Sequence, residues 1–381
     1  IKTVWNIYPD FSLRLNYQNP AAYLEALKRE LPGHERTLDA YRALTERLGR
    51  EFMGFERAPT VRKALLPLFF PTLLRYARRS HADVLNRFFK DDKRPALALS
   101  ALPTTLPPSR LSYVFVAVLW AKVLHGGVFY PRGGMKSLTD ALVRVIRENG
   151  STVETGVEVE EILVRGRRAL GVRTSDGTWI QAPWIIGAFN PFQGERLLPE
   201  GTRLYGRLHR LERYRASLSA VLFYVGLPPG SLPDDWPYFI SIHTSGNPES
   251  MAAALERGSM EEGLHLVATT PTVLDPSLAP PGHHGIKVLV HAPRADLFGK
   301  RYGSESSLQR LRHRVFSALR RFTGLDVEAR ALFVERATPM ILARMTGNEQ
   351  GAMYGLDAAC DQVGPRRPPN RTRLDNLLWV G

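Results

Sequence analysis

The sequence predicts a mixed α/β fold (an α+β mix) in which one domain is interleaved with a second domain of helices and a mainly antiparallel sheet. Three observations carry this prediction. A chain of 381 residues is too long for one small core. A helix-forming segment at about 135–148 leads into a series of short strands, and longer strand-forming segments recur between 217 and 340.

The first part of the chain reads as a hairpin followed by helices. Residues 1–17 favour two short strands about a Pro9-Asp10 turn, and Asn19-Pro20 then starts a helix that runs through Leu31. A second helix is predicted from about 34 to 50, and residues 61–124 are mostly helical.

A glycine pair leads into the next predicted helix, in the segment "FYPRGGMKSLTDALVRVIRENG". The helix carries an apolar stripe at helical spacing, which predicts a face toward a core: Leu138, Ala141, Leu142, Val145 and Ile146. Gly133 and Gly134 are open to two interpretations. They form a tight turn, or they let the backbone approach a large cofactor at the helix N-terminus.

Short strands follow this helix. "VEVEEILV", "RALGVRT", "TWIQA" and "WIIGAF" predict a β-meander, and the apolar "WIIGA" predicts a central strand. Longer segments at 217–227, 238–244, 264–271, 286–293 and 328–337 predict a second, mainly antiparallel sheet, interrupted by helices at about 248–257 and 304–323.

Composition excludes several kinds of site. A single cysteine, Cys360, allows neither an internal disulfide nor a cysteine-rich zinc site, and the ten histidines show no metal-binding spacing. The net charge of +14 is compatible with an anionic membrane, ligand or nucleic acid, or simply with solvated arginines. No apolar run reaches the roughly 20 residues of a membrane span, and the longest, at 113–124, predicts a buried helix.

Common catalytic and nucleotide-binding motifs are absent. The sequence contains no G-x-S-x-G and no P-loop, and no two glycines are separated by a single residue, so it has no G-x-G-x-x-G. It offers no metal site.

The segment "RKALLPLFFPTLLRYARRS" (62–80) places large apolar residues between basic ones. Such a stretch can lie on a bilayer with its arginines toward anionic headgroups, or it can form a pair of core helices.

Six segments together resemble the phytoene desaturase group of FAD-dependent oxidoreductases, which has the flavin-binding amine-oxidase-type fold and includes carotene isomerases and retinol saturases. In chain order they are "ADVLNRFFKDDKRPAL", "FYPRGGMKSLTDAL", "TGVEVEEILV", "PTVLDPSLAPPGHHGIKVLVHAP", "TGNEQGAMYG" and "RTRLDNLLWVG". The resemblance covers essentially the whole chain.

The resemblance implies a domain plan. Part of a Rossmann-like FAD-binding domain would occupy 126–195 and resume at 341–381, and the substrate domain would occupy 1–125 and 196–340. The family's N-terminal G-x-G-x-x-G unit and its C-terminal glycine-rich FAD turn are missing. We therefore expect the chain to be a fragment that is inactive alone.

The resemblance also implies which residues lie beside the FAD and the substrate. The FAD positions are Tyr130, Pro131, Gly133, Gly134, Met135, Val159, Ala188, Asn190 and Gly381. Tyr354 would border the substrate. No catalytic residue is implied.

The function implied is redox chemistry at carbon–carbon bonds of an apolar isoprenoid or carotenoid-like substrate, in a cytoplasmic protein that contacts the membrane through 62–80. Amine oxidation and carotenoid cis–trans isomerisation stay open as alternatives with FAD. A non-catalytic binder of lipid surface or nucleic acid is a third hypothesis, although no nucleic acid is expected as a partner. The oligomeric state is left undetermined.

Overall fold

The computed structural model describes residues 4–15, 20–89, 92–100 and 104–380. In these ranges the strands are β1 Val4–Ile7, β2 Ser12–Leu15, β3 Val159–Arg165, β4 Arg168–Thr174, β5 Trp179–Gln181, β6 Ile185–Gly187, β7 Ser219–Leu227, β8 Phe239–His243, β9 His265–Thr269, β10 His284–Ala292, β11 Phe333–Ala337 and β12 Leu377–Trp379.

The helices of the same ranges are α1 Pro20–Glu30, α2 Glu35–Arg57, α3 Thr60–Ala64, α4 Leu66–Phe69, α5 Pro71–Tyr76, α6 His81–Phe89, α7 Lys93–Leu99, α8 Tyr113–Gly126, α9 Met135–Glu148, α10 Pro191–Arg196, α11 Pro248–Glu256, α12 Ala295–Tyr302, α13 Glu305–Thr323, α14 Val327–Arg330 and α15 Pro339–Thr346.

The largest sheet has seven strands in the order β11-β7-β10-β9-β8-β1-β2. Its neighbours are antiparallel except β1 and β8, which run parallel with Val4 opposite Phe239. The predicted hairpin near the start of the chain therefore extends the antiparallel sheet predicted much later in the chain. The pairing of β1 with β8 could not be predicted from local patterns, because the two strands are far apart in the sequence and only the tertiary structure brings them together.

Because side chains alternate between the two faces along each strand, one row of apolar side chains of this sheet packs against α12 and α13. This core includes Phe223, Ile240, Val288, Phe298 and Val315, each at most 1% exposed. A second core joins α1, α2 and α5–α8 around Tyr41, Leu48 and Tyr113. The prediction that 113–124 forms a buried helix is confirmed, since the larger side chains of α8 that face α2 are buried.

Two small sheets stand apart from the large one. β3, β4 and β5 form an antiparallel meander, and β6 pairs in parallel with β12. Trp379 of β12 and Leu198 belong to the small core between these elements. The mixed α/β fold class is confirmed, whereas the domain boundaries at 125, 195 and 340 stay a prediction.

Two predictions about local burial were wrong. The stripe of α9 does not face a core: Leu138, Leu142 and Val145 are 54%, 59% and 53% exposed. "WIIGA" is not central within the described residues, because β6 pairs with β12 alone and Ile186 is 60% exposed. Helical periodicity and an apolar strand identify faces that can be buried, but they do not say what lies against them.

Smaller differences concern the ends of elements. α2 continues to Arg57, seven residues beyond the prediction, because the helix tolerates Gly54 and no proline follows Arg50 until Pro59. The segment 328–337 is part helix and part strand, since Asp326 caps α14 by accepting a hydrogen bond from the Ala329 N–H.

Candidate functional site

The glycine turn before α9 is held against the loop that follows β9. The Gly133 N–H donates to the Asp275 carboxylate at 2.6 Å, and the Tyr130 ring lies 5.5 Å from the Tyr238 ring. Hydrogen bonds from Ser277 and Gly133 lower the pKa of Asp275. The carboxylate therefore stays ionised and keeps the turn in place.

Both glycines have the left-handed conformation, with φ of +81° at Gly133 and +80° at Gly134. A Cβ at Gly134 would also come within 3.2 Å of Leu278. No side chain caps α9, and the chain enters the helix at Met135, which is 60% exposed. The first N–H groups of this helix thus have no side-chain acceptor in the described structure.

The carboxyl ends of β6 and β12 meet at one edge, because the two strands run parallel. Ala188 and Asn190 follow β6, and the Val380 N–H donates to the Gly187 carbonyl at 2.8 Å. The last predicted residue of this group, Gly381, lies outside the described residues. In open α/β sheets a ligand binds at such an edge, beyond the carboxyl ends of parallel strands.

Asn190 ties this edge to the "TGNEQGAMYG" segment. Its side-chain amide donates to the Asn348 side-chain oxygen at 3.4 Å, and Asn348 in turn donates to the Ala352 carbonyl at 3.0 Å. The structure therefore brings together two regions that are about 160 residues apart in sequence.

Val159 stands apart from this group. It begins β3 and is paired with Thr174 of β4. Among the described residues no hydrogen bond joins Val159 to the glycine turn. Pro131 belongs to that turn and is half-buried. The structure places these two residues without testing their roles.

A cavity of about 520 Å³ lies between α2, α8 and the segment 354–367. This volume is within the roughly 300–1,000 Å³ typical of small-molecule sites. Its wall is mainly apolar and includes Tyr354 together with Phe52, Val114, Phe115, Val118, Leu119, Leu356, Ala358 and Val363. Tyr354, which the resemblance implied to lie beside the substrate, is one of the residues that line this cavity.

Polar groups on this wall were missed by sequence reasoning. Asp357 is buried, and its burial raises the pKa of the carboxyl even though Arg110 and Arg215 lie 3.6 and 3.7 Å away. Arg367 also lines the cavity, and burial lowers its pKa. The two adjacent arginines of "GPRRPP" were the available signal, but nothing in the sequence says which of them faces inward.

The segment 62–80 folds as short helices with two different faces. Phe70, Leu73 and Tyr76 are buried against the helical core. The opposite face and the preceding residue Val61 expose apolar side chains, namely Val61 at 72%, Leu65 at 48%, Leu68 at 72%, Phe69 at 42% and Leu74 at 47%. We call these five residues the α3–α5 patch. The core-helix interpretation is confirmed for the buried face, and the membrane interpretation stays a prediction.

Two features are absent from the described residues. No helix among them is long and apolar enough to cross a membrane. Neither do their histidine, cysteine, aspartate and glutamate side chains form any group of three that could hold a metal ion.

The architecture is that of flavoprotein amine oxidases. Putrescine oxidase, in a triple mutant with redesigned cofactor binding, superposes with a TM-score of 0.62 at 11% identity, over 99% of this chain and 75% of the other. At this level of identity the similarity concerns the fold. Residues 6–188 match the family of flavin containing amine oxidoreductases.

The relatives in sequence belong to a narrower group of enzymes than the solved structures do. The chain is 29% identical to the zeta-carotene-forming phytoene desaturase of Myxococcus xanthus, over 81% of this chain and 58% of the relative. It is 28% identical to the phytoene dehydrogenase of Streptomyces griseus, over 94% of this chain and 70% of the relative. The resemblance to the phytoene desaturase group is confirmed. The chain spans less than two thirds of the length of the Myxococcus relative.

Proposed function

We propose that the protein is an FAD-dependent oxidoreductase that acts on carbon–carbon bonds of an apolar isoprenoid substrate. The observation that carries the proposal is the mainly apolar cavity of about 520 Å³ bordered by Tyr354. Its wall suits a hydrocarbon chain, because burying apolar surface is favourable by about 25 cal/mol per Å². The desaturases among its sequence relatives support the same substrate class.

The residues present fit one side of an FAD site. No side chain caps α9 after the glycine turn, so its first N–H groups are available to donate to an oxygen-rich ligand at the helix N-terminus. α9 and β6 also expose apolar side chains, with Leu142 59% and Ile186 60% exposed. The proposed FAD positions are those implied by the resemblance: Tyr130, Pro131, Gly133, Gly134, Met135, Val159, Ala188, Asn190 and Gly381.

Bound FAD would supply hydride acceptance or donation. The chain's own residues would hold the substrate and keep water out. Phe115 and Val118 of α8 line one side of the cavity, and Leu356 and Val363 line the other, so that a polyene would lie between them. The Asn190–Asn348 hydrogen bond would link the strand edge to the segment that continues to Tyr354 of the cavity wall.

The first test is the visible absorption spectrum of the protein expressed from its natural gene. Gly134→Val is expected to abolish flavin retention, because valine is strained at φ of +80° and would press on Leu278. Gly150→Val is the matched control, with φ of +76° and open space around it at the other end of α9. The control should keep the flavin band.

A colourless wild-type protein would contradict the proposal. Equal loss of flavin in both variants would show that Gly134 acts only through the stability of α9.

Product analysis separates the rival flavin chemistries. Incubation with a polyene should change the number of conjugated double bonds, which moves the absorption maximum. A product of unchanged mass would indicate cis–trans isomerisation. Release of an aldehyde and ammonia from an amine would indicate amine oxidation.

We further propose that the α3–α5 patch rests on an anionic membrane surface. Arg62 and Lys63 stand beside the exposed apolar side chains, with the Arg62 guanidinium 5.4 Å from the Phe69 ring. Apolar insertion combined with basic residues is the usual chemistry of interfacial binding. Phe52 of the cavity and Phe55 lie one turn apart on α2, and Phe55 packs on Phe70 of the buried face of this segment, so the segment and the cavity both contact α2.

Flotation with vesicles containing phosphatidylglycerol tests this surface. Leu68→Glu should reduce the vesicle-bound fraction severalfold, because a charge replaces an inserted side chain. Leu208→Glu is the control, since Leu208 is 79% exposed outside the patch. Equal binding by both variants would count against the α3–α5 patch.

A further inference from the structure

Arg367 is a charged group on a mainly apolar wall. It lines the cavity together with Tyr354 and the apolar residues of α8. Arg367 is half-buried, and this partial removal from water lowers its pKa. Such a group is costly in an apolar site unless its N–H donors are used.

Only part of its hydrogen-bonding capacity is used. The Arg367 Nη2 donates to the Leu356 carbonyl at 3.0 Å and to the Asp357 carbonyl at 3.1 Å. Within the described residues, Nε and Nη1 have no hydrogen-bond partner. A guanidinium carries five N–H donors, so three are left for a ligand or for water in the cavity.

The surrounding charges are already paired with one another. Arg110 pairs with Glu256, Arg215 pairs with Asp361 at 2.5 Å, and the Asp357 carboxylate accepts from Gln362. Asp357 is paired with Arg110 and Arg215 instead, and no carboxylate of the described residues forms an ion pair with Arg367, so its free donors are available for another acceptor.

From this arrangement we infer that the substrate carries an oxygen function on its apolar chain, which Arg367 binds. This inference rests on the proposed function and narrows its substrate class from a hydrocarbon to an oxygenated isoprenoid. A carbonyl, hydroxyl or carboxylate oxygen would accept from Nε or Nη1. Arg367 thus determines substrate preference and placement, with no part in bond breaking.

The adjacent arginine supplies a matched control. Arg366 also donates to two backbone carbonyls, those of Ala77 at 3.1 Å and Cys360 at 2.8 Å, but it does not line the cavity. Replacing either arginine by methionine removes a charge and two carbonyl contacts. Only the change at Arg367 removes donors from the cavity.

The experiment compares a C20 polyene hydrocarbon with the C20 aldehyde and carboxylate of the same chain. Binding to the protein from the natural gene is measured by co-elution of polyene absorbance in gel filtration. We expect at least one oxygenated ligand to bind about tenfold more tightly than the hydrocarbon, as one hydrogen bond from a charged donor provides. Arg367→Met should remove this preference, and Arg366→Met should keep it.

Equal binding of all three polyenes by the wild-type protein would overturn the inference while leaving the flavin and the apolar cavity intact. Retention of the preference in Arg367→Met would also overturn it. Failure of every polyene to bind would remove the inference together with the proposed function. If Arg367→Met does not fold, Arg367→Gln, which keeps an amide donor for one carbonyl, serves for the same comparison.

Discussion

Two amphipathic helices of this protein, α13 and α9, have the same kind of pattern and opposite surroundings. α13 buries its apolar residues against the seven-stranded sheet, with Val315 and Leu319 at 0% exposure. α9 leaves Leu142 and Val145 more than half exposed. The comparison shows that periodicity defines an apolar face, whereas the element packed against that face determines how much it contributes to the free energy of unfolding.

The largest expected difference concerns one leucine on each helix. Leu319→Ala should lower the free energy of unfolding by about 3 kcal/mol, because it leaves a cavity in the core. Leu142→Ala should lower the free energy of unfolding by less than about 0.5 kcal/mol, because this side chain is exposed in the folded protein. Urea unfolding followed by circular dichroism measures both, and equal losses would show that the folded protein covers α9.

A second difference is the response to acid. The large sheet carries three buried histidines, and burial is the main reason for their lowered pKa values: about 3 at His243, well below normal at His265 and about 4 at His291. Ser241 donates to or accepts from the first two, and the His243 ring stacks on Tyr8. The segment 126–190 contains no histidine.

The sign of the effect follows from the direction of these shifts. A histidine whose pKa is lower in the folded state takes up a proton on unfolding, so its stabilisation is complete above pH 6.5 and declines as the pH falls toward 4. Urea titrations at pH 7.5 and pH 5 should therefore show a loss of stability in the large sheet. His291→Gln should make that loss smaller by removing one of the titrating groups, and an unchanged pH dependence would contradict this account.

The smallest difference concerns ion pairs. Lys136→Ala on α9 breaks an exposed pair with Asp140 four residues away and should cost at most about 0.5 kcal/mol. Arg312→Ala on α13 breaks a half-buried pair with Glu328 at 2.6 Å and should cost about 1 kcal/mol. Thermal unfolding at low and high salt checks both, and the Lys136 effect should disappear at high salt.

Much of the fold could be predicted from local patterns. The turn at Pro9-Asp10, the helix starting at Pro20 and the strands of the large sheet lie close to their predicted positions, because turn residues and alternation act over a few neighbours. The exposure of the α9 stripe could not be predicted, since it depends on elements distant in sequence.

The candidate site divides in the same way. The sequence by itself indicated a glycine turn before α9, and glycine tolerates the positive φ that Gly133 and Gly134 have in the structure. Only the tertiary structure decided that Asp275 would hold this turn and that Arg367, and not Arg366, would face the cavity. The reason is physical: backbone preference is a local property, whereas a cavity and its charges arise where distant segments pack together.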